Sequence, residues 1–205
     1  MTLRDDYEHW ARNFTARIAR GWGIFLDRLY ATNADGVTWD DVRVAASVTK
    51  LGSSAPSWAL VTDINSCYQF AHNQSNFVEF ECQLPHGYEL GSSLEPHVHW
   101  GPSDTGAGDT RWRLDYVWAN IGSPFSGTST TIYVTDTSSE VTNDHQVAGF
   151  PAISGTGMGI SSMLLCRLTR VGGAVQDTYG SPANFYEFDF HITKDTIGSF
   201  EEYVK

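Results

Sequence analysis

His97 and His99 stand one residue apart in the run Gly91-Ser92-Ser93-Leu94-Glu95-Pro96-His97-Val98-His99-Trp100. On a strand, residues two apart point to the same face, so both imidazoles can reach one metal ion. Two imidazoles without a third dedicated ligand make a poor catalytic centre. The expectation is therefore that His97 and His99 hydrogen-bond within the chain or between subunits. Glu187 and Asp189 also share a strand face. Carboxylate pairs serve acid–base chemistry on glycosidic bonds, but any alternating strand with a polar face produces one. The sequence has no G-x-S-x-G, no G-x-x-x-x-G-K-[ST] and no H-E-x-x-H, so the nucleophile elbow, the phosphate loop and the zinc-protease helix are excluded. Gly155-Thr156-Gly157-Met158-Gly159 precedes a strand-like run at 160–168. It therefore lacks the helix N-terminus that would bind phosphate.

The spacing G-x5-H-x-H resembles the opening half of the cupin motif. That resemblance implies a β-barrel holding iron, manganese or zinc on three His and one Glu. The cupin pattern needs Glu four or five residues after the second His; Ser103 and Asp104 occupy that window here. Arg111 stands where the pattern needs Gly, and the second half, G-x5-P-x-G-x2-H, has no match. His145 lies in the turn-like Asn143-Asp144-His145-Gln146. A cupin-like metal enzyme using His97 and His99 is an alternative reading; the leading one is non-enzymatic, with no cofactor.

These side chains need elements to hold them. Val78, Phe80, Cys82 and Leu84 alternate with Glu79, Glu81 and Gln83. Trp112, Leu114, Tyr116 and Trp118 alternate with Arg111, Arg113 and Asp115, and Tyr186, Phe188, Phe190 and Ile192 with Glu187, Asp189 and His191. The run at 163–168 is more continuously apolar. Period-two alternation marks sheets with one buried face. Gly/Ser/Thr/Pro/Asp stretches at 101–110, 121–130, 136–144 and 171–182 separate the runs, with no helical pattern between them. This predicts a mainly β fold over 38–205, an antiparallel jelly-roll β-sandwich. Composition agrees: 41% hydrophobic and 13% aromatic residues can fill a core, and only 18% are charged.

The net charge of −11 argues against nucleic acid as a partner, because phosphate binding needs a basic surface. No apolar run is long enough to span a membrane. The charge is unevenly spread. Residues 1–30 carry five Arg against four carboxylates, and the remainder carries eight basic residues against twenty acidic ones. Residues 1–37 read as a short N-terminal helical docking segment. Trp10, Phe14 and Ile18 recur at helical spacing, and with Trp22 they are candidate anchors. Arg and Asp stud the first residues, where a secretory signal would be apolar, so folding in a cytoplasm is expected. Cys67, Cys82 and Cys166 are odd in number and widely spaced, which predicts buried free thiols and no disulfide framework.

The polar faces of the strongest strands hold Glu79, Glu81, His97, His99, Arg111, Arg113, Asp115, Arg167, Glu187, Asp189 and His191, while Lys occurs three times in the chain. Arg outperforms Lys in interfaces because its planar fork pairs with carboxylates. These eleven residues are the expected subunit interface of a symmetric homo-oligomer.

Four blocks in order carry a further resemblance. They are Gln83-Leu84-Pro85-His86 through Pro96-His97-Val98-His99-Trp100; Trp112 to Asn120; Ile160 to Leu168; and Glu187 to Ser199. Together they resemble virion structural proteins of tailed bacteriophages, over roughly residues 38–205. The resemblance implies jelly-roll trimers on phage heads or fibres and carries over no catalytic residues. It makes the expected function that of a homotrimeric capsid decoration or cement protein. Such a protein is made in the host bacterial cytoplasm, located in the virion and partnered by itself and the major capsid protein or another virion protein. A head or tail fibre contacting host glycans is the competing expectation, with Trp58, Tyr68 and Tyr179 as candidate sugar-stacking rings.

Overall fold

A computed structural model describes residues 38–125 and 127–205, together with Ile18. The helical segment expected at 1–37 lies outside the described residues, and so do Trp10, Phe14 and Trp22. Ile18 is exposed.

Among the described residues eleven strands follow in order: β1 (Thr38–Ala45), β2 (Lys50–Leu51), β3 (Ser57–Leu60), β4 (Ser66–Phe70), β5 (Ser75–Gln83), β6 (Glu95–Pro102), β7 (Asp109–Ala119), β8 (Thr130–Thr137), β9 (Gln146–Gly149), β10 (Met163–Val171) and β11 (Ala183–Lys194). A 3-10 turn, Ala46–Val48, follows β1. The strands form two sheets. One is six-stranded, ordered β3-β4-β11-β6-β9 with β1 also pairing β11; the other is five-stranded, ordered β2-β5-β10-β7-β8. The mainly β, antiparallel expectation is met. Among the described residues, no helix is long and apolar enough to cross a membrane.

The core lies between the sheets. Val78, Phe80 and Cys82 of β5, Trp112 and Leu114 of β7, and Leu164 and Leu168 of β10 come from one side. Phe70, Val98, Trp100, Phe185, Phe188 and Phe190 come from the other. Aromatic pairs join the layers: Phe70 to Trp112 at 5.3 Å between centroids, and Phe80 to Phe188 at 4.9 Å. Such contacts add about 0.5–1.5 kcal/mol each beyond area burial. Tyr116 and Trp118 keep the inward face but are only partly buried.

Two expectations change. The strict alternation predicted for 186–192 breaks at a register shift between Phe185 and Glu187. Phe185, rather than Tyr186, is the fully buried ring. A bulge places two consecutive residues against one partner and re-aims them, so Tyr186 and Glu187 both leave the core face. Tyr179 is not a surface sugar platform: it is 1% exposed, and its hydroxyl donates to Asp104 Oδ1 at 3.0 Å. All three cysteines are free and buried, as their spacing predicted.

One buried ion pair was not anticipated. Arg170 and Asp177 have fully buried side chains. Arg170 donates from Nε and one Nη to the two Asp177 oxygens at 3.0 and 2.8 Å. Its remaining donors reach the carbonyls of Phe70, Tyr179 and Ser181. Every guanidinium N–H is therefore used, which is the condition for burying an arginine at tolerable cost.

Candidate functional site

The outer face of the six-stranded sheet gathers a cluster around Asp189. In the antiparallel β6–β11 register, His97 faces Asp189 and His99 faces Glu187. Both histidines lie on one face, as their i, i+2 spacing predicts, and β11 supplies the carboxylates between and beside them. His99 Nε2 lies 3.1 Å from Asp189 Oδ2, and His99 Nδ1 lies 2.7 Å from His145 Nε2. His97 Nδ1 stands 3.6 Å from Asp189 Oδ1. His191 Nε2 lies 3.8 Å from Asp189 Oδ2 and 3.1 Å from Asp41 Oδ1 of β1. Arg43 of β1 grips both Glu187 oxygens in a fork. Asp189 is 3% exposed despite its charge, and a buried carboxylate persists only where partners surround it.

The two central imidazoles are pushed in opposite directions. The hydrogen bond to Asp189 raises the His99 pKa above its ordinary value, against the opposing effect of burial. Burial lowers that of His97, and the nearby His191 adds to the shift. An Asp189–His99–His145 relay can hold and orient a proton. The adjoining cavity of about 450 Å³ is lined by Asp41, Arg43, His99, His145, Tyr186, Glu187 and Asp189. That lining includes no Ser, Thr or Cys for such a relay to activate.

A larger groove of about 560 Å³ crosses the outer face of the five-stranded sheet. Arg167 of β10 sits in register between Glu79 of β5 and Asp115 of β7. Its Nε donates to Glu79 Oε1 at 3.0 Å. Arg113 Nε donates to Asp115 Oδ2 at 2.9 Å, and Lys50 of β2 pairs with Glu81. Guanidiniums also cover ring faces, Arg111 over Tyr133 at 4.7 Å and Arg167 over Phe77 at 4.4 Å. The floor includes the apolar Leu165 and Val117.

The eleven residues expected at a subunit interface thus fall into two sets. Glu79, Glu81, Arg111, Arg113, Asp115 and Arg167 belong to strands of the five-stranded sheet. His97, His99, Glu187, Asp189 and His191 belong to the six-stranded one. Several of them pair with each other inside the chain. His97 and His99 do meet a third metal-capable partner, but it comes from β11 and not from the downstream window that the cupin pattern would use. Asp41, Arg43 and His145 complete the histidine cluster without any local signature. Asp41 and Arg43 do alternate with Val42 and Val44, which marks an outward face but names no partner.

No family model matches the chain, and no curated protein matches it. Among solved structures, a family 35 carbohydrate binding module from Clostridium thermocellum aligns with a TM-score of 0.37 and 10% identity, over 73% of this chain and 97% of its own. Modules of an endo-1,4-beta-D-xylanase from Clostridium thermocellum, complexed with xylohexaose, align with a TM-score of 0.37 and 10% identity over 82% of this chain and 28% of theirs. Dimeric latent PorU from Porphyromonas gingivalis aligns with a TM-score of 0.33 and 13% identity, over 78% of this chain and 13% of its own. At these scores the likeness says nothing of what the chain binds.

Proposed function

We propose that this chain is a non-enzymatic jelly-roll component of a tailed-phage virion, and that the groove on its five-stranded sheet holds a host-surface glycan. The groove is the observation that carries the reading. Its volume of about 560 Å³ lies in the range of roughly 300–1,000 Å³ common to small-molecule sites. Sugar hydroxyls are donors and acceptors at once, and the groove offers both in alternation: Glu79, Arg167 and Asp115 lie side by side across three strands. Paired side chains are already ordered, so a ligand that inserts among them meets less entropic cost. Tyr133, paired in register with the groove residue Arg113 and 41% exposed, carries Arg111 on one ring face.

Two observations support the wider reading. The inner strand orders β4-β11-β6-β9 and β5-β10-β7-β8 fit two interlocked Greek keys, the jelly-roll pattern. The blocks that resemble phage virion proteins fall on β6, β7, β10 and β11, the strands that build both sheet centres.

A glycan array followed by calorimetry on any hit tests the proposal. Arg113→Ala and Arg167→Ala should each weaken binding by tenfold or more, while Arg43→Ala, on the other sheet, should leave it unchanged. Failure of the array to yield a ligand, or groove variants that bind as tightly as the parent chain, would overturn it.

A homotrimeric capsid decoration protein is the second reading, and one observation favours it. Among the described residues, β3 is paired on one side only. That edge exposes Trp58 and Leu60, with Ile64 89% exposed just beyond. Exposed apolar strand edges invite pairing with another chain. Native mass spectrometry at micromolar concentration decides it: a trimer is expected, and a monomer would end this second reading.

A further inference from the structure

His99 has no nitrogen to spare, because one faces Asp189 and the other His145. His97 is different. Its Nδ1 and Asp189 Oδ1 are both buried, face each other at 3.6 Å, and have no hydrogen-bond partner. The Asp189 side chain is only 5% exposed. Two buried polar atoms left unsatisfied at one point are rare in a folded chain and call for an explanation. His191 Nε2 adjoins them, 3.8 Å from the other Asp189 oxygen. One ligand atom each from His97, Asp189 and His191 lies within 4.8 Å of the other two. In a tetrahedral zinc site with bonds of about 2.0–2.2 Å, neighbouring ligand atoms stand roughly 3.3–3.6 Å apart, so a small inward movement closes the set.

We propose that His97, Asp189 and His191 bind one divalent first-row transition-metal ion, Zn²⁺ being the best fit, on the outer face of the six-stranded sheet. Two imidazoles and a carboxylate are borderline ligands suited to such ions and not to Ca²⁺ or Mg²⁺, which prefer all-oxygen shells. An ion there satisfies both orphaned atoms at once. It also ties β6 to β11 across the centre of the sheet. His99 acts as the outer support, because its bond to Asp189 Oδ2 orients the carboxylate as such partners do in metal sites. Asp41 flanks His191 at 3.1 Å, a second carboxylate beside the same position. The half-exposed His191 gives the ion its way in.

The test uses the untagged full chain, stripped with chelator and titrated with Co²⁺ and Zn²⁺. One ion per chain is expected, with Co²⁺ giving a visible ligand-field spectrum that Zn²⁺ abolishes. His97→Gln and His191→Gln should each raise the Kd at least tenfold, while His72→Gln, at an exposed position outside the cluster, should not. Zn²⁺ should raise the melting temperature of the wild type and leave that of both ligand variants unmoved. Substoichiometric binding by the wild type overturns the proposal. So does a Kd that shifts less than tenfold in either folded ligand variant, with folding checked by far-ultraviolet circular dichroism.

Discussion

Asp189 is in register with His97, yet its carboxylate lies closest to His99, the diagonal neighbour, at 3.1 Å from Nε2. The diagonal contact sets the sign of the pH behaviour of His99.

For His99, the Asp189 hydrogen bond raises the folded pKa. Its stabilisation is fully present below the ordinary value of 6.5 and fades as pH rises through the elevated folded value. For His97, burial and then His191 lower the folded pKa. Stability from keeping it neutral is present above 6.5 and is lost as pH falls through the lowered folded value. The expected outcome is opposite behaviour of two variants. His99→Gln should cost more melting temperature at about pH 6 than at about pH 8.5, and His97→Gln should cost less at the lower pH. Thermal melts at both pH values check it. Equal costs at the two pH values would contradict the assignment.

The Arg170–Asp177 pair should be among the most sensitive positions in the chain. Asp177→Ala leaves a buried guanidinium with only carbonyl partners, and breaking a buried pair costs about 3–5 kcal/mol. At roughly 2–4 °C per kcal/mol for a domain of this size, the melting temperature should fall on the order of 10 °C. Calorimetry measures it.

The cysteines should be inert while the chain is folded. Burial pushes the Cys82 thiol up to about 12 and the Cys67 thiol up to about 11, and it raises Cys166 well above its usual range. The reactive species is the thiolate, so a thiol reagent at neutral pH should label none of the three in the native chain and all of them in denaturant. Mass spectrometry counts the adducts.

The groove pairs should matter for binding far more than for stability. Arg167 and Glu79 are 45% and 39% exposed, and an exposed ion pair contributes about 0–1 kcal/mol. Glu79→Gln should therefore shift the melting temperature by no more than a few degrees, yet weaken glycan binding by tenfold or more. Parallel melts and calorimetric titrations separate the two effects.

Much of this protein is decided locally. The period-two pattern of 77–84 and 112–118 by itself gave each strand an inner and an outer face, because alternate side chains on a strand must point opposite ways. The same rule put His97 and His99 together and predicted the burial of Cys82 and Cys166. The tertiary structure decided everything that depends on which strand lies beside which. It assigned Arg167, Glu79 and Asp115 to one groove and His97, Asp189 and His191 to the other sheet. It brought Asp41 and Arg43 across from β1 and His145 across from the loop before β9, over separations that no local pattern encodes. It also inserted the bulge after Phe185, which turns Tyr186 outward beside Glu187. Alternation is set by bond geometry within one strand. Register and pairing are set by packing between strands far apart in sequence, and only the folded chain fixes them.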